Sequence, residues 1–261
     1  MAHVDAGKTT FSEQLLFYTN SIKHRGRVDH QDAFLDSHDI ERQRGITVFA
    51  DQAMFSYRDS NYNLIDTPGH VDFSPEMERS IQVMDYAIII VSAVEGIEGH
   101  TETVWGLLQK YQVPTFFFIN KIDRVGADVD AVMKDIQLNL TQDVCNITDS
   151  FTDGVMKEEL VEFVAERNEL LLDHYMDQGY NQDLWFKTMK DLFHDNKVFP
   201  LACGSALHGV GVESFMEKVD QLTATDYQSQ GSFAGRVYKI RHDGNGTRIT
   251  FIKALRGTKS S

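Results

Sequence analysis

Short apolar or β-branched runs alternate with stretches of helical period over residues 1–225. The runs near residues 88, 117 and 200 are apolar on both faces, which is typical of strands in a parallel sheet that helices cover on both sides. The predicted strands are residues 47–57, 62–65, 86–92, 115–119 and 198–203. The predicted helices are residues 8–18, 75–84, 101–111, 127–140, 157–176, 181–194 and 212–222. This alternation predicts an α/β fold with a doubly wound, mostly parallel sheet and helices on both faces.

Three segments differ from this regular alternation. The polar cluster at residues 58–61 separates the first two predicted strands and predicts a hairpin. Residues 141–196 contain two acidic helical patterns, no chemistry that we can identify, and are interpreted as a helical insertion. In the tail, residues 233–241 and 248–256 alternate like strands around a glycine-rich turn. We therefore expect a first domain over residues 1–225 and the truncated start of a β-rich second domain over residues 232–261.

Composition narrows the function classes and the compartment. The chain has 25 Lys and Arg against 39 Asp and Glu, a formal net charge of −14, which argues against a surface that grips nucleic acid by charge and against a DNA-binding role. Cys145 and Cys203 have neither disulfide nor zinc spacing. No apolar run approaches the roughly 20 residues of a membrane span, and no signal peptide is visible. We expect a cytoplasmic protein without a membrane partner.

A candidate phosphate-binding loop opens the chain. Residues 2–9, AHVDAGKT, match the loop pattern except that Ala replaces its first Gly. In such a loop the backbone N–H groups surround phosphates, Gly7 allows close approach, Lys8 reaches the β and γ oxygens, and the Thr9 hydroxyl binds Mg²⁺. The candidate nucleotide-binding residues here are Asp5, Ala6, Gly7, Lys8, Thr9 and Thr10. The alternative is a chance Gly-Lys-Thr before a helix.

Two further segments carry candidate magnesium and phosphate chemistry. Asp66 follows a predicted strand, where a carboxylate can hold Mg²⁺ through water. Gly69 offers a backbone N–H to a γ-phosphate, and His70 comes next in the chain. Thr47 could give a second hydroxyl to Mg²⁺. The alternatives are an ordinary strand-to-helix turn, a capping or exposed histidine, and a solvated loop around Thr47.

Two other predicted strands end in candidate base-binding loops. Asn120, Lys121 and Asp123 follow the strand at 115–119. The Asp123 carboxylate can accept hydrogen bonds from N1–H and the 2-amino group of guanine, a donor pair that adenine lacks. The loop after the strand at 198–203 contains Gly204, Ser205 and Ala206. Each loop alone could be a simple turn, but all lie at strand carboxyl ends, where open α/β sheets bind ligands.

The motifs AHVDAGKTT, RGIT, DTPGH, NKID and GSA together resemble the GTPase domain of translational GTPases. The chain is most similar to elongation factor G and to the tetracycline-resistance ribosomal protection proteins, and residues 40–47, 116–123 and 168–176 look most like the latter. The resemblance implies a P-loop GTPase that uses GTP or GDP with Mg²⁺, acts on the ribosome through the large-subunit RNA and proteins in its full-length form, and continues into a β-barrel.

The resemblance also implies individual roles. Lys8 neutralises charge on the leaving diphosphate, while Thr9 and Thr47 are the protein ligands of Mg²⁺, with Asp66 behind a water. His70 orients the attacking water once the factor docks on the large ribosomal subunit. Asp5 occupies a position implicated in binding a monovalent cation, and residues 21–47 correspond to the first nucleotide-sensing switch.

Other functions stay open at this point. An ATPase or kinase that shares only the phosphate loop is disfavoured by NKID at residues 120–123. A fragment that acts only as a binding module is disfavoured for the parent protein by the intact Lys8, Thr9, Asp66 and His70, but the missing first strand leaves it open for this chain. The tetracycline-resistance ribosomal protection type is the main interpretation, and translocation by an elongation factor G-like parent is the alternative that these motifs leave open. Because the strand that leads into the phosphate loop is missing, we expect weak nucleotide binding and another backbone segment beside the sheet.

Overall fold

A computed structural model describes residues 1–23, 51–67, 74–151, 155–242 and 246–258. The helices are α1 Lys8–Tyr18, α2 Ser74–Ile81, α3 Gly99–Lys110, α4 Val129–Asn139, α5 Glu158–Ala165, α6 Glu169–Gln178, α7 Gln182–His194 and α8 Val212–Leu222. The strands are β1 Asp51–Tyr57, β2 Ser60–Asp66, β3 Ala87–Ser92, β4 Thr115–Asn120, β5 Val144–Asn146, β6 Phe199–Cys203, β7 Ala234–His242 and β8 Arg248–Arg256. Among the helices of these ranges, none has the length and apolar character needed to cross a membrane.

The central sheet is parallel and has the strand order β3-β4-β6-β5. Beside β3, Ala2 forms a parallel bridge with Ile90, and the Ile90 N–H donates to the Met1 carbonyl at 2.9 Å. Within the described ranges only Met1 and Ala2 occupy this position, and β1 and β2 form a separate antiparallel pair. The phosphate loop therefore starts directly at the carboxyl end of β3.

Each strand of the sheet feeds two hydrophobic cores, one on each face. Phe116 and Phe118 of β4 pack in the core that contains α1 and α8, whereas Phe117 and Ile119 pack in the core that contains α3 and α4. This is the two-fold side-chain period of a strand that is buried on both faces. The predicted doubly wound α/β fold is confirmed.

Two local predictions were wrong. The single helix predicted over residues 157–176 is two helices, α5 and α6, because the helical conformation is interrupted at residues 166–168. The Asn168 side chain caps α6 by accepting a hydrogen bond from Leu171 N at 3.0 Å. Strand β5 was missed altogether. It has only three residues, too few for a periodic pattern, yet it forms the edge of the central sheet through its pairing with β6.

In the described ranges, the tail hairpin β7–β8 forms polar contacts with the α/β part of the chain. Tyr238 donates to the side-chain oxygen of Gln52 in β1 at 2.7 Å. Arg236 donates to the Gln82 carbonyl just after α2 at 2.8 Å, and Lys253 pairs with Asp85 at 2.5 Å. The hairpin is thus fastened to both the β1–β2 pair and the end of α2.

Candidate functional site

The phosphate loop is a tight turn that leads into α1. Asp5 and Gly7 both have left-handed backbone conformations, with φ of +64° and +92°. Gly7 occupies the N-cap position of α1, so the helix begins at Lys8, and the N–H groups of its first turn have no partner within the helix. A helix start of this kind attracts anions because its N–H groups and dipole both favour negative charge.

Close packing explains the glycine at position 7. A Cβ atom placed there would lie 2.4 Å from Nδ2 of Asn120, and the positive φ also disfavours other residues. The phosphate loop and the end of β4 are therefore in direct contact. The sequence predicted glycine for approach to a phosphate; the structure adds contact with a second motif as an independent reason.

Asn120 joins three of the predicted motifs. Its Nδ2 donates to the Ala6 carbonyl at 2.9 Å, and its Oδ1 accepts from the Ala206 N–H at 2.9 Å. Asn120 is only 3 % exposed, so both hydrogen bonds are shielded from water. One amide thus ties the phosphate loop to the loop after β6 from the end of β4.

Lys8 and Asp66 form a buried ion pair. The Lys8 Nζ lies 2.6 Å from Asp66 Oδ2, and the side chains are 8 % and 3 % exposed. Asp66 is the last residue of β2, so the pair connects the β1–β2 hairpin to the start of α1. Two opposite charges that are buried together compensate each other's loss of hydration.

The residues present fit a magnesium ion held together with a nucleotide. Asp66 offers a buried carboxylate and Thr9 a half-buried hydroxyl, which are hard oxygen ligands of the kind that Mg²⁺ prefers. In the part of the chain that the structure describes, no group of three or more His, Cys, Asp or Glu side chains could hold a metal ion alone. Phosphate oxygens would have to complete the coordination.

Asp123 is held in its charged form. The pKa of its carboxyl lies below the usual value, chiefly through the nearby Ser205 side chain, although this contact lacks the geometry of a regular hydrogen bond. Desolvation opposes the shift, while the Asp123 backbone N–H, His208 and Arg124 add to it. An ionised carboxylate at this position is an acceptor only, as recognition of two N–H donors requires.

The loops around Asp123 are also tightly packed. Lys121 has a left-handed backbone conformation and pairs with Glu95 at 3.3 Å. A Cβ on Gly204 would lie 2.2 Å from the Val210 carbonyl oxygen, so no larger residue fits there without a shift. The Ser205 N–H donates to the same Val210 carbonyl at 2.9 Å. The Gly204 N–H donates to the Ile119 carbonyl at 2.9 Å, and the Ile122 N–H donates to the Gly204 carbonyl at 3.4 Å. These two bonds fix the candidate base-binding loops relative to each other.

Most predicted site residues meet at one edge of the sheet. Asn120 brings Ala6 and Gly7 to Ala206, and the Lys8–Asp66 pair adds the end of β2. Asp5 is exposed, and Thr10 is half-buried next to Thr9. Three predicted site residues, Thr47, Gly69 and His70, lie outside the described residues. Most of the predicted switch at residues 21–47 also lies outside them.

Sequence reasoning missed three residues of this region. His3 is buried and its Nδ1 lies 3.1 Å from Glu98, while Glu95 pairs with Lys121. His208 Nε2 lies 3.4 Å from Asp123 Oδ2. His3 falls inside the phosphate-loop motif, which was a usable signal, but the contacts of Glu95 and His208 depend on loop geometry and have no sequence signature.

A protein-family comparison matches this geometry. The model of the elongation factor Tu GTP binding domain matches residues 1–225. The chain belongs to this family. Membership of a family of GTP-binding domains implies that the chain binds a guanine nucleotide.

Several curated relatives are tetracycline resistance proteins by name. The chain is 30 % identical to the tetracycline resistance protein TetP of Clostridium perfringens, over 98 % of this chain and 42 % of that protein. It is 33 % identical to TetM from transposon Tn1545 of Enterococcus faecalis, over 98 % of this chain and 42 % of that protein. It is also 33 % identical to TetW of Butyrivibrio fibrisolvens, over 99 % and 42 %. The chain thus spans less than half the length of these relatives.

A solved structure of a protein from Thermus thermophilus has the same fold. It superposes with a TM-score of 0.86 at 22 % sequence identity, over 98 % of this chain and 44 % of that one. At this identity the similarity concerns the fold. It extends over the tail hairpin as well as the α/β sheet, because nearly the whole chain is covered.

Proposed function

We propose that this chain is the GTP-binding and GTP-hydrolysing part of a ribosome-stimulated translational GTPase of the tetracycline-resistance ribosomal protection type. The observation that carries the proposal is the double hydrogen bond of Asn120, which joins the phosphate loop to the GSA loop beside Asp123. Family membership over residues 1–225 and the names of TetP, TetM and TetW support it.

Guanine selection rests on Asp123. Its carboxylate is ionised and stands at the end of the loop after β4, where it can accept from N1–H and the 2-amino group of the base. Adenine presents no such donor pair. A site built to hydrogen-bond a particular edge can reject the analogue that lacks it by about 10⁴-fold, because its own polar groups are then left unpaired.

Phosphate binding rests on the loop and on Lys8. The left-handed residues Asp5 and Gly7 turn the backbone so that N–H groups of the loop and of the first turn of α1 are available to phosphate oxygens. Lys8 reaches the β and γ oxygens by exchanging Asp66 for phosphate. The charge so supplied stabilises the leaving diphosphate.

Thr9, Thr47 and Asp66 would hold Mg²⁺, the first two directly and Asp66 through a water. The ion would neutralise charge on the β- and γ-phosphates. Gly69 offers its N–H to the γ-phosphate, and His70 orients the attacking water. Asp5 is assigned to a monovalent cation site near the phosphates on the strength of the family resemblance.

The ribosome is the proposed partner, through its large-subunit RNA and proteins, so the protein acts in the cytoplasm. We assign residues 1–225 as the GTPase unit with the insertion at 141–196, and residues 232–261 as the start of the β-barrel domain.

Elongation factor G-like translocation is the second candidate function, supported by the shared motifs. Loss of tetracycline resistance on deletion of the gene, with normal growth without drug, separates the two.

A base-exchange experiment tests the nucleotide site directly. GDP, ADP and XDP are competed against a fluorescent GDP on the wild-type protein and on Asp123→Asn. We expect wild type to prefer GDP over ADP by about 10⁴-fold. Asp123→Asn should prefer XDP, because xanthine presents an oxygen where guanine has the 2-amino group. Asp130→Asn, an exposed aspartate in the first turn of α4, is the matched control. Comparable GDP and ADP affinities in wild type would overturn the proposal.

A further inference from the structure

His208 faces the proposed base-reading carboxylate. Its Nε2 lies 3.4 Å from Asp123 Oδ2, and the side chains are 60 % and 30 % exposed. Asp123 has two donors to satisfy when guanine binds. A third group at the same carboxylate therefore affects how strongly the base is held.

The backbone fixes the position of His208. It lies in a turn closed by two hydrogen bonds between Ser205 and Val210, at 2.9 and 3.0 Å. The Gly209 N–H also bonds to the Ala206 carbonyl at 3.3 Å. The same turn contains Ala206, which is anchored to Asn120. The imidazole is therefore presented to Asp123 by a structured element of the nucleotide site itself.

The charge environment of His208 is simple. From the loop after β4 it meets Asp123, on which Arg124 also acts electrostatically. From α1, the neutral amide of Gln14 packs beside Gly209. From α8, the first-turn Glu213 is bonded to Tyr18. Asp123 is thus the carboxylate to which a charged His208 is paired in the described part of the chain.

We infer that His208, when protonated, competes with the guanine base for the Asp123 carboxylate, so that guanine-nucleotide binding weakens in mild acid. This inference rests on the proposed function. A carboxylate binds neutral N–H donors strongly because it is charged, and a cation beside it offsets that charge. Histidine is the side chain that ordinarily gains its charge between pH 8 and pH 5. Because both groups are partly exposed, the expected effect is small, about two- to fivefold in affinity.

The test compares GDP affinity of the full chain at pH 8.0 and pH 6.0 for wild type, His208→Gln and His194→Gln. The glutamine of His208→Gln keeps a polar side chain at this position but cannot become charged. His194 is an exposed histidine at the end of α7 and serves as the control for the same substitution. The phosphates of GDP also titrate in this range, so the quantity to follow is the ratio of the dissociation constants of wild type and variant.

We expect a ratio near 1 at pH 8.0 and about 2–5 at pH 6.0 for His208→Gln, and a ratio near 1 at both pH values for His194→Gln. By linkage, GDP binding to wild type at pH 6.5 should release more protons than binding to His208→Gln. Calorimetry in two buffers of different ionisation enthalpy measures this. A ratio for His208→Gln that does not change with pH would overturn the inference. Absence of GDP binding by wild type at pH 8.0 would instead overturn the proposed function.

Discussion

The Nζ of Lys8 lies 2.6 Å from Oδ2 of Asp66, although 58 residues separate the two along the chain. Both side chains are more than nine-tenths buried. The pair links the start of α1 to the end of β2, and it connects the residue proposed to reach phosphate with the residue proposed to reach Mg²⁺. Its energetics are accessible to mutation.

Lys8→Met should destabilise the nucleotide-free protein by about 3–5 kcal/mol, because it leaves the Asp66 carboxylate buried without its partner. Lys8→Met combined with Asp66→Leu should recover most of this loss, since two apolar side chains leave no buried charge. Urea unfolding measures both free energies. The control is Lys110→Met, which removes an exposed pair with Glu78 and should cause a much smaller loss. A double variant that loses as much stability as Lys8→Met would contradict this account, because removal of the Asp66 charge would then have relieved nothing.

Asn120→Ala should destabilise the fold and abolish guanine-nucleotide binding together. It leaves the Ala6 carbonyl and the Ala206 N–H without partners in a buried site, at a cost of about 1–3 kcal/mol for each group. Asn139→Ala is the matched control, because Asn139 is exposed on α4 and its hydrogen bonds in the described part of the chain are to Asp135 of the same helix. Unfolding and fluorescent GDP binding are the measurements. A stable Asn120→Ala protein that binds GDP normally would contradict the role of this amide.

Gly7→Ala should weaken guanine-nucleotide binding by at least about tenfold and lower stability. The new methyl group would meet Asn120 Nδ2 at 2.4 Å, and alanine is strained at φ +92°. Gly106→Ala is the opposite case within the same chain. Gly106 lies inside α3 with open space around it, so alanine there should raise stability by about 0.5–1 kcal/mol. The prediction fails if both substitutions change the free energy of unfolding in the same direction.

His70→Ala should leave GDP and GTP affinities within about twofold of wild type but reduce ribosome-stimulated GTP hydrolysis by at least about 100-fold. Its proposed role is to position the attacking water, and positioning affects turnover more than ground-state binding. Multiple-turnover hydrolysis with and without ribosomes checks this. Unchanged stimulated turnover in the variant would show that His70 does not position the attacking water.

The two cysteines should differ in reactivity. Burial raises the pKa of the Cys145 thiol to about 12, whereas Cys203 is partly exposed. At pH 8, a thiol reagent should therefore label one cysteine rapidly in the folded protein and both after unfolding, and Cys203→Ser should remove the fast reaction. Because the folded-state pKa is raised, the contribution of Cys145 to stability is complete below pH 9 and is lost as pH rises toward 12. Rapid labelling of the Cys203→Ser variant would contradict the burial of Cys145.

The sequence was most informative where burial is two-sided and motifs are long. Strand β4 was predictable because the run Thr115–Asn120, all of it buried, is mainly apolar and of strand length, which is typical of a parallel strand covered on both faces. Strand β5 was not, since three residues leave no period and their strand character comes from pairing with β6. Likewise, nothing in the local pattern separates α5 from α6 except the capping residue Asn168.

The candidate site divides in the same way. The residues in Asp5–Thr10, NKID and GSA could be grouped because parallel strands end at one edge of the sheet. That Asn120 serves two loops at once, that Lys8 pairs with Asp66, and that His208 reaches Asp123 could not be read from spacing. Lys8 and Asp66 are 58 positions apart in the chain, and Asn120 and Ala6 are 114 positions apart. Such contacts depend on loop conformations that tertiary packing selects.

The amide of Asn120 has a consequence for the length of the ligand that the proposed nucleotide site can bind. One rigid planar group, at the end of one buried strand, supplies both the donor for Ala6 and the acceptor for Ala206. The phosphate loop and the base loops thus share a single reference point, and the span between them cannot stretch or contract without breaking a bond to that point. The site therefore favours a ligand whose base and phosphates are separated by one particular distance. A molecule that fits only the phosphate loop or only the base loops gains only part of the binding free energy.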